Sequence, residues 1–422
     1  MRDEQKIQSP FYIVLLLILS GEIIFILPFV LARIFRPTFL DVFQINNLEL
    51  GSCFSIYGIV AFFSYLFGGP LADRFKPKIL IALALFLTAI GGVYMSTYPS
   101  YFMLQVLFGY WGFTTIFLFW AAMIKATRVW GGSNNQGKAF GFLDGGRGLV
   151  AAGMGSVGVL IFSFFIGVDL DAVSLKEKKE AFKYVILFAS TIVACIGFVV
   201  LLFLKLKSSA VTENESLKIT WSDFKIVLKI PTVWWLMIII LCAYVAYKTT
   251  DIFSLYAKEV MLFDEVESAK IGTLLLYLRP VVGVGVGLLV DRSRSSVFMV
   301  ASFLAMVVTS LLFAIGVITS GSVILFFISI IALAIVTYAL RTLYFAALKE
   351  GFIPLAVTGT AVGLISIIGY TPDIFASPLM GYLIDNSPGI KGFQHVFFML
   401  SFFAILGLVA SLIFYKTTKT NI

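Results

Sequence analysis

The sequence predicts an all-α membrane protein, with twelve transmembrane helices arranged as two pseudo-symmetric six-helix bundles. Three observations carry this. Hydrophobic residues make up 60% of the 422 residues and charged residues only 13%, about half the charge of a soluble chain. The apolar residues fall into twelve runs, each near the roughly 20 residues a helix needs to cross a hydrocarbon core about 30 Å thick. The two halves of the chain also repeat each other at matched positions. The period-2 alternation of a membrane barrel is absent, which leaves helices to satisfy the backbone in lipid.

The first run, 11–33, is too long for a signal-peptide core and lacks a small-residue cleavage site, so it reads as span 1. Spans 2 to 6 follow at 49–72, 79–97, 102–124, 139–166 and 184–204. The longest polar break then carries Lys, Glu, Ser and Thr and separates six spans from six. Spans 7 to 12 lie at 232–257, 270–290, 297–318, 323–348, 356–384 and 394–415. The domain organisation is therefore an N-terminal bundle (1–204), a cytoplasmic linker (205–230) and a C-terminal bundle (231–422).

Loop charge sets the orientation. With the N-terminus in the cytoplasm, cytoplasmic segments hold 18 of the 31 Lys and Arg, and outer segments hold eight. The bias puts both termini inside. The net charge of +8 then reads as basic cytoplasmic loops, with no nucleic-acid partner. Cys53, Cys195 and Cys242 lie in or beside apolar runs and show no disulfide or metal spacing. No Walker loop, catalytic triad motif or nucleotide fingerprint appears. The chain reads as a non-enzyme without cofactor or metal.

The repeat is visible in the residues. After span 2 the chain reads Gly69-Pro70-Leu71-Ala72-Asp73-Arg74, and after span 8 it reads Gly287-Leu288-Leu289-Val290-Asp291-Arg292. Asp291 follows Asp73 by 218 residues. A second pair, Gly137-Lys138-Ala139-Phe140-Gly141 and Gly359-Thr360-Ala361-Val362-Gly363, is offset by 222.

Residues 69–78 resemble the signature loop between spans 2 and 3 of the major facilitator superfamily (MFS), usually G-x-L-a-D-R-x-G-R-[RK]. They depart from it at Lys76, where Gly is usual, and at Pro77, where a basic residue is usual. The copy after span 8 reinforces the match, and the resemblance covers the whole chain. It implies the MFS fold, a functional monomer and a site near the midplane between the halves. It also implies a gating role for Gly69, Asp73 and Arg74, repeated at Asp291 and Arg292; the plainer alternative is a solvated turn. Residues 136–148 resemble a Q-G-R-x-F-G-F-x-[DE]-x-G-R-G pattern. Gly369-Tyr370-Thr371-Pro372, with Gly381-Tyr382-Leu383-Ile384-Asp385 and Pro388-Gly389-Ile390, resembles a later one. Both are similar to the YihN-like branch of bacterial permeases, distant kin of organophosphate antiporters. That resemblance implies a carrier of small polar or anionic metabolites in a bacterial inner membrane.

Ionisable residues inside spans are the sharper clue, since each costs roughly 2.5–3.5 kcal/mol on insertion scales and normally faces a cavity or a partner. They are Glu22, Asp144, Arg147, Lys248, Asp251, Arg279, Arg341 and Asp373, with Arg33 at the outer end of span 1. At about 1.5 Å per residue, Glu22 and Arg279 lie near mid-depth, Lys248 and Asp251 nearer the outer end, and Arg341 nearer the cytoplasm.

Asp144 with Arg147, and Lys248 with Asp251, are i, i+3 pairs able to neutralise themselves locally. Gly145, Gly146 and Gly148 allow close backbone approach beside the first pair, for packing or for substrate access. Arg279, between Leu278 and Pro280, and Arg341 have no acidic neighbour close in sequence. A buried Arg offers a fixed fork of donors suited to carboxylate, sulfonate or phosphate. Arg279 and Arg341, then Arg147, with Lys248 and Asp251, are the candidate substrate contacts. The alternative is pairing across helices with Glu22, Asp144, Asp251 or Asp373.

Glu22, Asp373 and Asp144 are candidate proton carriers, because a carboxyl in a cavity that opens to either side can load and release a proton. Arg33 reads as snorkelling to the interface, and His395 as interfacial. Tyr57, Trp111, Trp120 and Tyr370 either line the cavity or pack between helices.

The functional reading is a secondary active transporter of a small anionic metabolite, working by alternating access as a proton-coupled symporter or an anion antiporter. Two rivals remain open. An efflux carrier for amphipathic compounds suits the 43 Phe, although the buried bases argue against it. A non-transporting membrane receptor would need an output domain, and the tails, 1–10 and 416–422, are short for one.

Overall fold

The computed structural model describes residues 10–131, 136–166, 174–206, 221–290, 294–353, 358–387 and 389–419. Most of the linker, the end of the second signature copy and Pro388 lie outside them. Among the described residues every regular element is helical. Eleven spans are long and apolar enough to cross a membrane by themselves. Spans 1 to 6 are Phe11–Ile34, Asn47–Arg74, Pro77–Met95, Tyr101–Gly131, Gln136–Phe165 and Leu175–Phe203. Spans 7 to 10 are Pro231–Glu259, Glu265–Val290, Ser295–Ala314 and Val323–Glu350, and span 12 is Ile390–Lys419. Span 11 crosses as two pieces, Thr358–Gly369 and Pro372–Asp385. Pro372 has no N–H to continue the ladder across the join.

Several starts differ from the sequence expectation, and capping explains three of them. Span 6 begins at Leu175 because Ser174 and Glu177 form a reciprocal capping box. The lysines at 176–183, expected in a loop, therefore ride on its first turns. Asn46 and Glu49 form a second box that starts span 2. Span 8 starts at Glu265, where the Asp264 carboxylate accepts the Glu267 N–H at 2.7 Å. Its acidic first turn suits the positive end of the helix dipole. The polar linker also contains a short helix, Trp221–Leu228.

Successive spans run in opposite directions. Residues near 11, 74, 131, 221–231, 290, 350 and 419 share one end of the bundle, here the tail end. Residues near 34–47, 165–175, 259–265 and 385–390 share the other, the far end. Buried apolar side chains form two cores. One runs from Ile13 to Leu204 and includes Val266, Ala269 and Leu276, and the other runs from Val227 to Phe414.

The halves meet along spans 2 and 11 and along spans 5 and 8. A Cβ on Gly51 would sit 2.5 Å from Pro378 Cα, and one on Gly148 would sit 2.8 Å from Pro280 Cδ. Gly145, one turn nearer the tail end, has nothing within 4 Å of such an atom.

Candidate substrate site

The helices break where the ionisable residues gather. Span 1 widens into a π-helical turn at Ile26–Val30, around Pro28 and just after Glu22. Span 4 does the same at Phe113–Trp120. Span 7 tightens into a 3-10 turn at Thr250–Ile252 around Asp251. Asp373 opens the second piece of span 11. Such interruptions re-aim side chains that a straight helix would point elsewhere.

The charges form two chains of alternating sign. In the first, Arg33 Nε donates to Asp251 Oδ1 at 2.5 Å. Lys248 Nζ lies 3.5 Å from Asp251 and 3.4 Å from Asp373. The Tyr244 hydroxyl donates to Asp373 at 3.0 Å, and Arg33 Nη1 donates to the Tyr247 hydroxyl at 3.1 Å. In the second, Arg147 Nε donates to Glu22 at 2.9 Å, and Arg279 lies 3.6 Å from Glu22 and 2.9 Å from Asp144. Each chain takes one member from the opposite half. Arg33 joins three residues of spans 7 and 11, and Arg279 joins three residues of spans 1 and 5.

The expectation for Arg33 is corrected. It does not snorkel; it is 5% exposed and bridges the halves. Asp144 and Arg147 do not neutralise each other, since each is held by another helix, whereas Lys248 and Asp251 do pair locally. Gly146 and Gly148 serve packing against Ile18 and Pro280. Tyr57 and Trp111 are buried, with hydrogen bonds to Thr115 and the Thr88 carbonyl. Trp120 lies beside the Arg147 guanidinium, and Tyr370 packs on Tyr244.

Arg341 differs from the other in-span bases. Among the described residues it has no carboxylate partner, and its buried Nη1 has no hydrogen-bond partner. Its guanidinium lies 3.9 Å from the centre of the Tyr247 ring and 5.8 Å from that of Tyr244. Tyr338, one turn earlier on span 10, also buries a hydroxyl without a partner. The Asp144 side chain is 56% exposed while held across the halves by Arg279. It therefore lies at an accessible edge of the contact between the halves.

A second cluster closes the far end. Glu265 accepts from Lys178 at 2.7 Å, from Thr38 at 2.9 Å and from Lys258. Asp41 accepts from Lys178 at 2.6 Å. Asp385 accepts from Asn47 Nδ2 at 3.0 Å and from the Leu48 N–H at 2.7 Å, and Arg36 Nε donates to Asn47 at 3.1 Å. Sequence reasoning counted these charges only for orientation. Asp41 and Glu265 carried no signal, because they border loops and look solvated, and Asp385 entered only as part of a family-like pattern.

At the tail end, Lys125 donates to the Ala72 carbonyl at 2.8 Å, and Arg294 pairs with Glu350 at 2.9 Å. Both contacts lie within one half. Arg74 is exposed at the end of span 2. The surroundings of Gly69 and of the Asp73 side chain, and all of Asp291 and Arg292, lie outside the described residues.

This architecture meets its match in a known family. The family model of the Major Facilitator Superfamily matches residues 13–372. The chain belongs to that superfamily. It is accordingly a multi-pass membrane protein and a secondary transporter, not an enzyme. It is 28% identical to the inner membrane protein YqcE of Escherichia coli over 362 residues, 84% of this chain and 83% of that one. It is 26% identical to YihN of the same organism over 409 residues, 95% and 94% of the two chains. A bacterial homologue of the human lysosomal transporter Spinster, inward-facing and unoccupied, superposes with a TM-score of 0.72 at 14% identity, covering 97% of each chain. The nucleoside transporter NupG superposes at 0.69 and 15% identity, covering 96% of this MFS chain and 99% of its own.

Proposed function

We propose that this protein is an inner-membrane carrier of a small anionic metabolite, driven by a proton gradient or by anion exchange. It works as a monomer through rocking of its halves, residues 1–204 and 231–422, about the contact between them. The observation that carries this is Arg341. Four other in-span cations each have a carboxylate partner, whereas Arg341 presents a free edge of its guanidinium. A fork of this kind suits a carboxylate or another oxyanion. Arg279, Arg147, Lys248 and Asp251 shape the site through their ion pairs. Glu22, Asp144 and Asp373 are its available proton acceptors. The tail end faces the cytoplasm, as loop charge predicts, and the bonds across the halves at the far end support reading this conformation as inward-open. Asp73, Arg74, Asp291 and Arg292 act at the opposite gate.

The test is flux of a panel of small anions in proteoliposomes, with and without an inward proton gradient or an internal anion. Arg341→Gln is expected to lose roughly a hundredfold in flux, as when one charged ligand contact is removed. Full flux in that variant, or flux confined to cationic compounds, would sink the reading.

A further inference from the structure

We infer that the substrate carries a single negative charge on a hydroxylated body. This rests on the anionic reading above and sharpens it. The first ion-pair chain holds Arg33 and Lys248 against Asp251 and Asp373, and the second holds Arg147 and Arg279 against Glu22 and Asp144. Each chain contains two cations and two carboxylates and is neutral within itself. Each carboxylate lies against cationic or hydroxyl donors. Asp373, for instance, receives both the Lys248 ammonium and the Tyr244 hydroxyl.

Arg341 is the remainder. Among the described residues of the cluster, five cations face four carboxylates. One positive charge stands uncompensated in a site between two halves that must close on it. With all four carboxylates ionised and no coupling proton bound, a monoanion brings the occluded site to neutrality. A dianion leaves a net negative charge, and a neutral solute leaves the guanidinium bare. Either imbalance is costly once water is excluded.

The body of the ligand follows from what surrounds Arg341. The Tyr338 hydroxyl is buried, unpartnered and on the same helix face, three residues away. The Tyr247 ring lies against the guanidinium and 6.5 Å from the Tyr338 ring, and Tyr244 stacks edge-on with Tyr370. Among the described residues the Tyr338 hydroxyl is the unpartnered phenol here, and a ligand hydroxyl would satisfy it where a bare alkyl chain would not.

Alditols, aldonates and aldarates of three to six carbons test this, since members of equal length share one skeleton and differ only in charge: none, one or two. The purified full-length protein is assayed for ligand-induced thermal stabilisation, with exchange flux measured in parallel. The aldonate is expected to bind best at the responding length, and the aldarate at least about tenfold more weakly. Asp144→Asn adds one net positive charge beside Arg279 and is expected to shift the preference toward the aldarate. Arg341→Gln is expected to abolish the aldonate response. Arg341→Lys, which keeps the charge and loses the fork, should retain the preference for one charge with weaker binding.

An aldarate that matches the aldonate in the wild type, or an Asp144→Asn protein with unchanged preference, would overturn the single-charge inference while leaving an anion carrier standing. A series that is silent while other anions still exchange would overturn the hydroxylated body. Alditols that respond where both acids are silent would bring down the anionic reading itself.

Discussion

The two ends of the bundle are built differently. At the far end, Asp41 and Lys178 of one half meet Lys258 and Glu265 of the other, and Asn47 meets Asp385. At the tail end, Lys125 bonds to the Ala72 carbonyl and Arg294 pairs with Glu350, each within its own half. In the alternating-access reading proposed above, bonds across the halves hold the far side closed. The far-end bonds are short but partly hydrated, so they hold a state without locking it. The mid-span pair Arg33–Asp251 is drier and sits between the two ends.

The largest expected effect breaks that mid-span pair. Arg33→Leu leaves Asp251 buried with only the more distant Lys248, and should cost about 3–5 kcal/mol, read as a fall in thermal stability in detergent. A loss below about 1 kcal/mol would mean that water reaches the pair. Next comes the far end. Glu265→Gln weakens three donated contacts and should shift the balance toward an open far end by about 2 kcal/mol. Spin labels at Gln44 and Leu262, both exposed and on opposite halves, would read this as a longer distance population. Cys195 is exposed and needs replacing by Ser for that experiment, whereas Cys53 and Cys242 are buried. An unchanged distance would assign the seal to apolar packing. The smallest effect is expected at Asp41, whose side chain is 40% exposed. Asp41→Asn should change the same distance population by less than about 1 kcal/mol, and added salt should erase the difference.

The spans and their order were legible because lipid demands a run of apolar residues wherever the chain crosses. The in-span charges were legible for the same reason: Glu22, Arg147, Arg279 and Arg341 interrupt runs that hydrophobicity alone would fill. Starts of helices were less so, since the capping box at Ser174 draws four lysines onto span 6 against their polarity. The role of Arg33 was misjudged because snorkelling and burial look alike from one helix. Its neighbour Asp251 is 218 residues away, and only the packing of span 1 on span 7 brings them together.

The sequence by itself determined that the chain crosses a membrane in two related sets of six helices, and which polar groups sit at lipid depth. Periodicity and composition suffice for this, because depth and helix face are properties of one helix. Which charges cancel was decided by tertiary structure alone. Arg147 meets Glu22 across 125 residues and Arg279 meets Asp144 across 135. Those partners depend on how each helix is rotated and crossed against the others. That arrangement leaves Arg341 without a carboxylate partner among the described residues, while Asp144 and Asp373 are held by Arg279 and Lys248.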